Sequence, residues 1–445
     1  MLRDSAETTS IAAGYTVVDP AAYPVAIAGH GARSIAHSRS DPLEINAILL
    51  VSGERRCLVL SFDLLYIGGS LERRLRALLA STRAFADRDV LLFASHTHFA
   101  PPTDEALPAL GPVDESYASR ILEKSLALVD ELLAAKPDPI VVEVRRGYLD
   151  HSVNRRRPRW LPTYSRSRGF STDRVSFGPH PEGPRDETVD VVTLVNRNTR
   201  RPAATIWSYA CHPVSHMPTD STSADFPGAA RAQLRERAGG AIAVLFLQGF
   251  CGDLRPNIAP RKTSSWLQAF RSKAARLVTG TPWLEITREA GDRWAAGLAH
   301  RVAEIAGGPP ARVDEMPCFQ SELDTLLIES YFDGFANKTA LQVRGLRLGR
   351  IVEILGLGAE PSTGWRRRLD IALGGAEGIR IYAGYCGDVV GYLPLPEQVR
   401  EGGYEVVGSQ QLFGMRGSYR PTALANVIPE TVGSVAKALR STQPN

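Results

Sequence analysis

The order of apolar runs predicts an α/β protein: a mixed, partly parallel sheet, or more than one, with flanking helices and an active site at the carboxyl ends of the strands. Three observations carry that prediction. Short runs of Val, Leu, Ile and Phe recur and stop on polar residues, as buried strands do. Between two of them Leu71, Leu75, Leu78 and Leu79 repeat at helical spacing, so strand, helix and strand follow one another, an order that pairs the strands in parallel. And 445 residues, 44% of them hydrophobic, can fill a large core, with no internal repeat and no clean linker to divide it. One domain over residues 1–445 is expected, with a flexible start over 1–13 and two long active-site loops at 152–187 and 260–289.

Taken in order, 14–20 reads as an edge strand, followed by a loop with His30, Gly31, Arg33 and His37. Residues 43–52 and 57–63 are two strands around a Ser-Gly-Glu-Arg turn, the second ending on Asp63. After the helix at 70–82, Val90-Leu91-Leu92-Phe93-Ala94 closes on Ser95-His96-Thr97-His98 and a Pro-Pro pair, an interior strand whose end opens into a loop. Ile121, Leu122, Leu126, Leu128, Val129 and Leu132 place an amphipathic helix at 115–135, stopped by Lys-Pro-Asp-Pro. From 152 to 187 a Ser/Arg/Pro/Gly run has little periodicity, hence the predicted loop. Strands return at 188–195, at 203–213 ending on Cys211-His212-Pro213, and at 241–248 running into Gly252-Asp253-Leu254-Arg255-Pro256-Asn257; a helix at 228–238 joins the last two. The basic, Trp-containing stretch 260–289 precedes a helix at 290–306 with Trp294, Leu298 and Val302 on one side. A strand pair at 345–360 runs out on Glu360, and a strand at 379–385 leads to Tyr392.

Composition narrows the partners. The 52 Lys and Arg against 48 Asp and Glu leave a net charge of +4 with no dense basic tract, which argues against nucleic acid. No apolar stretch approaches the ~20 residues of a bilayer span, and Met1-Leu2-Arg3-Asp4 puts acid where a secretory signal turns apolar, so a cytoplasmic protein without stable membrane association is expected. Cys57, Cys211, Cys251, Cys318 and Cys386 are odd in number and scattered, which points to buried thiols. A small-molecule substrate is the expected partner, and a homo-oligomer is compatible with the sequence.

Side chains two apart on an extended chain face the same way, so His96 and His98 can share a target. A lone His-x-His supports two readings, metal ligands or imidazoles satisfied by backbone at a loop start. Further strand ends deliver His212, Asp253 with Arg255, Glu360 and Tyr392. Ligands of open α/β sheets bind beyond such ends, and two imidazoles with one carboxylate are a common catalytic zinc set. The contrary arrangement places these ends on opposite edges of the sheet.

In order along nearly the whole chain, Ser95-His96-Thr97-His98, Val153-Asn154-Arg155, the strand from Trp207 to His212 with Asp225 and Gly228 beyond it, Gly252-Asp253-Leu254-Arg255-Pro256-Asn257, Gly358-Ala359-Glu360-Pro361-Ser362, and Tyr392 with Tyr404 and Glu405 resemble the neutral/alkaline (non-lysosomal) ceramidases, a family of zinc amidases. The resemblance implies a zinc ion held by His96, His212, Glu360 and Tyr392, with His98 and Tyr404 facing the scissile carbonyl. It places Asn154, Arg155 and Asp253 in the substrate-binding motifs. Asp63, at a neighbouring strand end, is either an orienter of a ligand histidine or a structural ion pair. The chain departs from the family at Arg255, where the family motif Gly-Asp-Val-Ser-Pro-Asn carries the proposed nucleophile serine; an arginine cannot lose a proton and serve in that role. It also leaves no room for the family's C-terminal β-sandwich. The expectation is a zinc-dependent hydrolase that cleaves the amide (N-acyl) bond of a soluble, anionic small molecule with metal-activated water, Arg255 binding the anion or a developing oxyanion. Alternatives are an ester or lactone hydrolase or cyclase on the same site, a pseudoenzyme that only recognises its ligand, or histidines that merely fasten loops.

Overall fold

Along Glu44–Ser52, Ile45, Ala47 and Leu49 enter one apolar cluster while Ile48 and Leu50 enter another. Because strand side chains alternate between faces, a strand apolar on both must be covered on both. The computed structural model, which describes residues 8–30, 34–159, 163–165, 169–258 and 286–441, shows what covers them. Ser10–Val17 (β1), Glu44–Ser52 (β2), Arg55–Phe62 (β3), Val90–Ala94 (β4), Asp138–Tyr148 (β5), Thr188–Asn196 (β6), Pro202–Tyr209 (β7), Ala243–Gln248 (β8) and Arg312–Asp314 (β9) form one nine-stranded sheet in the order β8-β7-β6-β5-β1-β2-β3-β4, with β9 on β5. A second sheet, Phe319–Leu327 (β10), Ala340–Leu348 (β11), Val352–Leu357 (β12) and Ile379–Ala383 (β13), packs on it, and the shared core draws on Ile48, Val59, Val142, Leu245, Leu346 and Ile381. The first sheet's other face lies under Gly69–Arg83 (α1) and Glu115–Ala134 (α2) on one half, and under Asp225–Ala238 (α3) and Arg288–Gly307 (α4) on the other. Gly364–Leu373 (α5) and Pro421–Ser441 (α6) cover the second sheet. The mixed α/β fold with flanking helices is thus as expected.

Within these two sheets most pairings are antiparallel; the parallel ones are β3–β4, β7–β8 and β12–β13. These matter most for the site. The first sheet coils until edge strand β8 comes back over β2 and β3: Asn46 Oδ1 accepts the Val244 N–H at 3.0 Å, and Ser61 Oγ donates to the Phe246 carbonyl at 2.8 Å. Bridges between Phe93 and Cys386 and between Gly249 and Ala383 then join the two sheets at the carboxyl ends of β4, β8 and β13. The strand ends converge rather than separate.

Three expectations are corrected. The strand expected at an edge is interior: β1 pairs along its whole length with β2 and through Ser10 and Ile11 with β5, and Gly14 leaves room for Leu128 of α2 at 3.2 Å from where a Cβ would lie. Ser10 to Ala13, expected to be flexible, belong to that strand, while residues 1–7 lie outside the described ones. The predicted loop at 152–187 contains Ser152–Pro158 and Val175–His180, paired with Leu254–Pro256 in a three-stranded sheet. Ser152, Asn154, Arg155 and Arg156 are buried there beside only Val153 and Val175, too few apolar residues for hydrophobic periodicity to reveal the strands. The loop expected at 260–289 falls largely outside the described residues; its last positions open α4, where the Thr287 hydroxyl accepts the Ala290 N–H at 3.3 Å. All five cysteines are free thiols, four of them buried.

Candidate metal centre

β4 ends at Ala94, and the chain turns rather than running on extended: His96 has φ 65°, a left-handed conformation that costs a non-glycine residue on the order of 1 kcal/mol. The reason given above for the shared direction of His96 and His98 is therefore corrected. Their rings converge because backbone bonds hold the turn, His96 N–H to the Leu64 carbonyl at 2.9 Å and His98 N–H to the Pro213 carbonyl at 3.3 Å. The two Nε2 atoms lie 3.3 Å apart, and with His212, beyond the end of β7, the imidazole nitrogens fall within 4.8 Å of one another.

Tautomers follow from what lies behind the rings. His96 Nδ1 faces the Leu65 carbonyl at 3.2 Å and His212 Nδ1 faces the Cys251 carbonyl at 2.8 Å. Only a protonated Nδ1 can donate to a carbonyl, so each Nε2 keeps its lone pair for the shared space. Burial holds the imidazoles neutral: His96 is 1% and His212 2% exposed, the His96 pKa is pushed down to about 3, and those of His98 and His212 fall well below the ordinary value.

The carboxylate arrives from the second sheet. Glu360 pairs in parallel register with Tyr392, and its Oε2 stands 3.7 Å from His96 Nε2 and 3.6 Å from His212 Nε2. Burial raises its pKa to about 7, against the hydroxyls of Tyr66, Tyr392 and Tyr385, which favour the anion. Tyr66 donates to Oε1, and Tyr385 donates to Oε2 at 3.4 Å while its ring stacks on His96 with centroids 4.0 Å apart. The Tyr392 hydroxyl accepts from Arg155 Nη2 at 3.0 Å, and burial lifts its pKa well above 10, so it becomes an anionic ligand only where a cation draws off the proton. Converging neutral nitrogens beside a buried carboxylate suit a divalent ion that accepts nitrogen ligands. Among the described residues, His96, His98 and His212 are the metal-competent cluster.

Arg155 forms the floor, with Nε on Glu405 at 2.8 Å, Nη2 on Tyr392 and Nη1 3.4 Å from His212 Nε2. It is thereby committed to the centre's own side chains. Arg255 lies near the cluster, close enough to depress the pKa of His30, His98 and His212, and its own falls to about 10 through burial and the nearby Arg155 charge. Tyr404 closes the rim, its ring 5.5 Å from that of Tyr392 and 5.6 Å from that of Phe177.

Two of the expected substrate-binding residues have structural roles. Asn154 gives its amide to the Pro184 carbonyl at 2.8 Å and to Asp253 at 3.3 Å and accepts the Arg156 N–H at 2.8 Å; Asp253, fully buried, accepts from Thr363 N–H at 2.7 Å and Gln398 Nε2 at 3.1 Å. Their polar atoms fasten one loop to the next. Asp63 does not orient a histidine, since backbone carbonyls take both Nδ1 protons; it pairs with Arg231 at 2.8 Å and accepts the Glu44 N–H at 2.9 Å. Sequence reasoning missed Tyr66, Tyr385, Glu405 and His30 as site residues. Tyr66 and Tyr385 follow the ends of β3 and β13, so the strand-end rule that found His96 and His212 could have found them.

Hollows of about 560 Å³ beside Asp41, Asp225 and Arg231, and of about 870 Å³ beside Arg185, Thr363 and Arg366, carry no comparable cluster of imidazoles. The fold and this centre together define a mixed α/β protein with a buried His/Glu cluster at converging strand ends. No family model and no curated protein matches the chain. Among solved structures it is similar to the neutral ceramidase from Pseudomonas aeruginosa, at 18% identity and TM-score 0.73 over 99% of this chain and 75% of that one. It is also similar to a ceramidase complexed with C2, at 17% identity and TM-score 0.71 over 98% of this chain and 76% of that one. The likeness is one of fold.

Proposed function

We propose that the chain is a zinc-dependent hydrolase that cleaves the amide (N-acyl) bond of a small anionic molecule. The observation that carries this reading is the buried convergence of the His96, His98 and His212 nitrogens with the Glu360 carboxylate. His96, His212, Glu360 and Tyr392 would hold the ion, two through Nε2 lone pairs fixed by backbone carbonyls. When bound, zinc supplies Lewis acidity, polarising a carbonyl and making water acidic toward about pH 7.

The remaining steps fall to the chain's own groups. His98, whose ring faces the same space with Gly29 against its Nδ1 side, takes the proton that the attacking water gives up and passes it to the leaving nitrogen, which an amide needs before its C–N bond breaks. Tyr404 orients the carbonyl from the rim. Arg255 holds the anionic group with its planar fork and takes no part in proton transfer. The ceramidases that share the fold support an amide as the bond cut.

The test is turnover by zinc-loaded protein on matched panels of N-acyl compounds, esters and lactones. Amide cleavage is expected to dominate. Cleavage of esters or lactones alone would replace the amide reading, and binding without turnover of any panel would leave a recognition protein.

A further inference from the structure

His30 was passed over as an ordinary loop residue, yet its surroundings are those of a site. The ring is largely buried, 5.3 Å from the His98 ring and 5.0 Å from that of Phe99, and among the described residues its buried Nε2 has no hydrogen-bond partner. Buried polar atoms are nearly always satisfied, so such a nitrogen calls for a ligand or a reason. The backbone beside it is shaped to allow this: Gly29 has φ 85°, and a Cβ there would lie 2.3 Å from His98 Nδ1, so only glycine lets the segment carrying His30 lie against His98. Arg255 acts electrostatically on both rings and is itself largely buried, with its guanidinium carbon 5.7 Å from the centroid of Phe177. The His30 imidazole thus lies against His98, and the Arg255 guanidinium lies within electrostatic reach of both rings, over the Phe177 ring that Arg155 also covers.

We propose that His30 and Arg255 form, next to His98, a subsite for a compact carboxylate of the substrate, one borne within a few bonds of the amide that is cut. The planar fork of Arg255 matches a carboxylate, and a neutral imidazole adds one N–H through Nε2. The adjacency to His98 sets the spacing: a carboxylate held here keeps the scissile group near the metal cluster, as in an N-acyl amino acid, whereas a remote anion on a long chain would leave His30 unsatisfied. This assignment rests on the hydrolase reading for its meaning but not for its test.

The probe is benzoate, titrated by calorimetry into zinc-loaded and zinc-free protein and into His30→Ala, His30→Gln, Arg255→Ala and Arg255→Lys, each checked for unaltered thermal unfolding. Binding is expected with or without zinc, weakened at least tenfold by the two alanine variants and less by His30→Gln, which keeps a donor. In parallel, N-acetyl amino acids should be turned over with kcat/KM at least tenfold above matched N-acetyl alkylamines, a preference that His30→Ala removes by raising KM. Benzoate binding that needs zinc, or that the alanine variants leave unchanged, overturns the subsite. Absence of all amide turnover while benzoate binding follows these residues overturns the hydrolase reading and leaves the subsite standing.

Discussion

Two buried polar clusters sit at strand ends in this molecule, and they are built on opposite rules. Around Arg231 every charge is answered: Arg231 pairs with Asp63 at 2.8 Å and Glu44 at 3.2 Å, and Arg235 reaches Glu44 at 2.8 Å. At the candidate metal centre, imidazole nitrogens converge, with His96 Nε2 and His98 Nε2 3.3 Å apart and the Glu360 carboxylate held near them. A cluster that satisfies itself holds elements together. One that gathers three imidazoles and a carboxylate around a shared space supports the proposed ion site. The presence of histidine or carboxylate at a strand end does not by itself distinguish the two cases; the partners do.

Perturbing each cluster should separate the roles, and the largest effect is expected at His212. His212→Ala should abolish amide turnover while the protein still folds, as circular dichroism and turnover assays will show. Retained activity would erase the contrast between the clusters. His98→Ala should keep bound zinc and lower kcat by roughly 10² to 10⁴, the usual contribution of a positioned proton donor. If zinc departs as well, His98 is a ligand and the centre holds its ion with three imidazoles.

Across the molecule, Arg231→Met should destabilise the fold by about 3–5 kcal/mol in denaturant titrations, because Asp63 would stay buried without its cation and Glu44 would keep only Arg235. The zinc content of the folded fraction should be unaltered. The smallest effect concerns pH. Asp41 lies beside this cluster, and burial raises its pKa to about 6, against hydrogen bonds from the Ser223 hydroxyl and the Ala224 N–H and the charge of Arg231. Its folded value lies above the unfolded one of about 3.9, so its contribution to stability is fully present below pH 4 and is lost as the pH rises through about 6. Asp41→Asn should remove a component of about 3 kcal/mol from the pH dependence of unfolding between pH 4 and 7. An unchanged profile would move that titration to another group.

The legible parts of the sequence were those where local pattern and tertiary role agree. Leu71, Leu75 and Leu79 placed α1 to within a residue at either end, and the apolar runs before His96 and His212 marked β4 and β7. The strand-end rule found His96, His98, His212 and Glu360, and the structure brings these four together. What stayed hidden depends on partners far along the chain. Asn154, Arg155 and Arg156 read as a polar loop because the group that lets Arg155 be buried, Glu405, is 250 residues away. Tyr66 and Tyr385 are aromatic residues in apolar surroundings, and nothing in the spacing shows that their hydroxyls meet Glu360. Asp63 looked the same at its strand end as a ligand orienter would, until Arg231 was found beside it.

The most direct test of the central claim is the zinc content of protein purified without added metal, measured by elemental analysis on the unaltered chain, His212→Ala and Arg231→Met side by side. The account predicts about one zinc per folded chain in the first and third and none in the second. A metal-free unaltered protein, or zinc retained in His212→Ala, would contradict it.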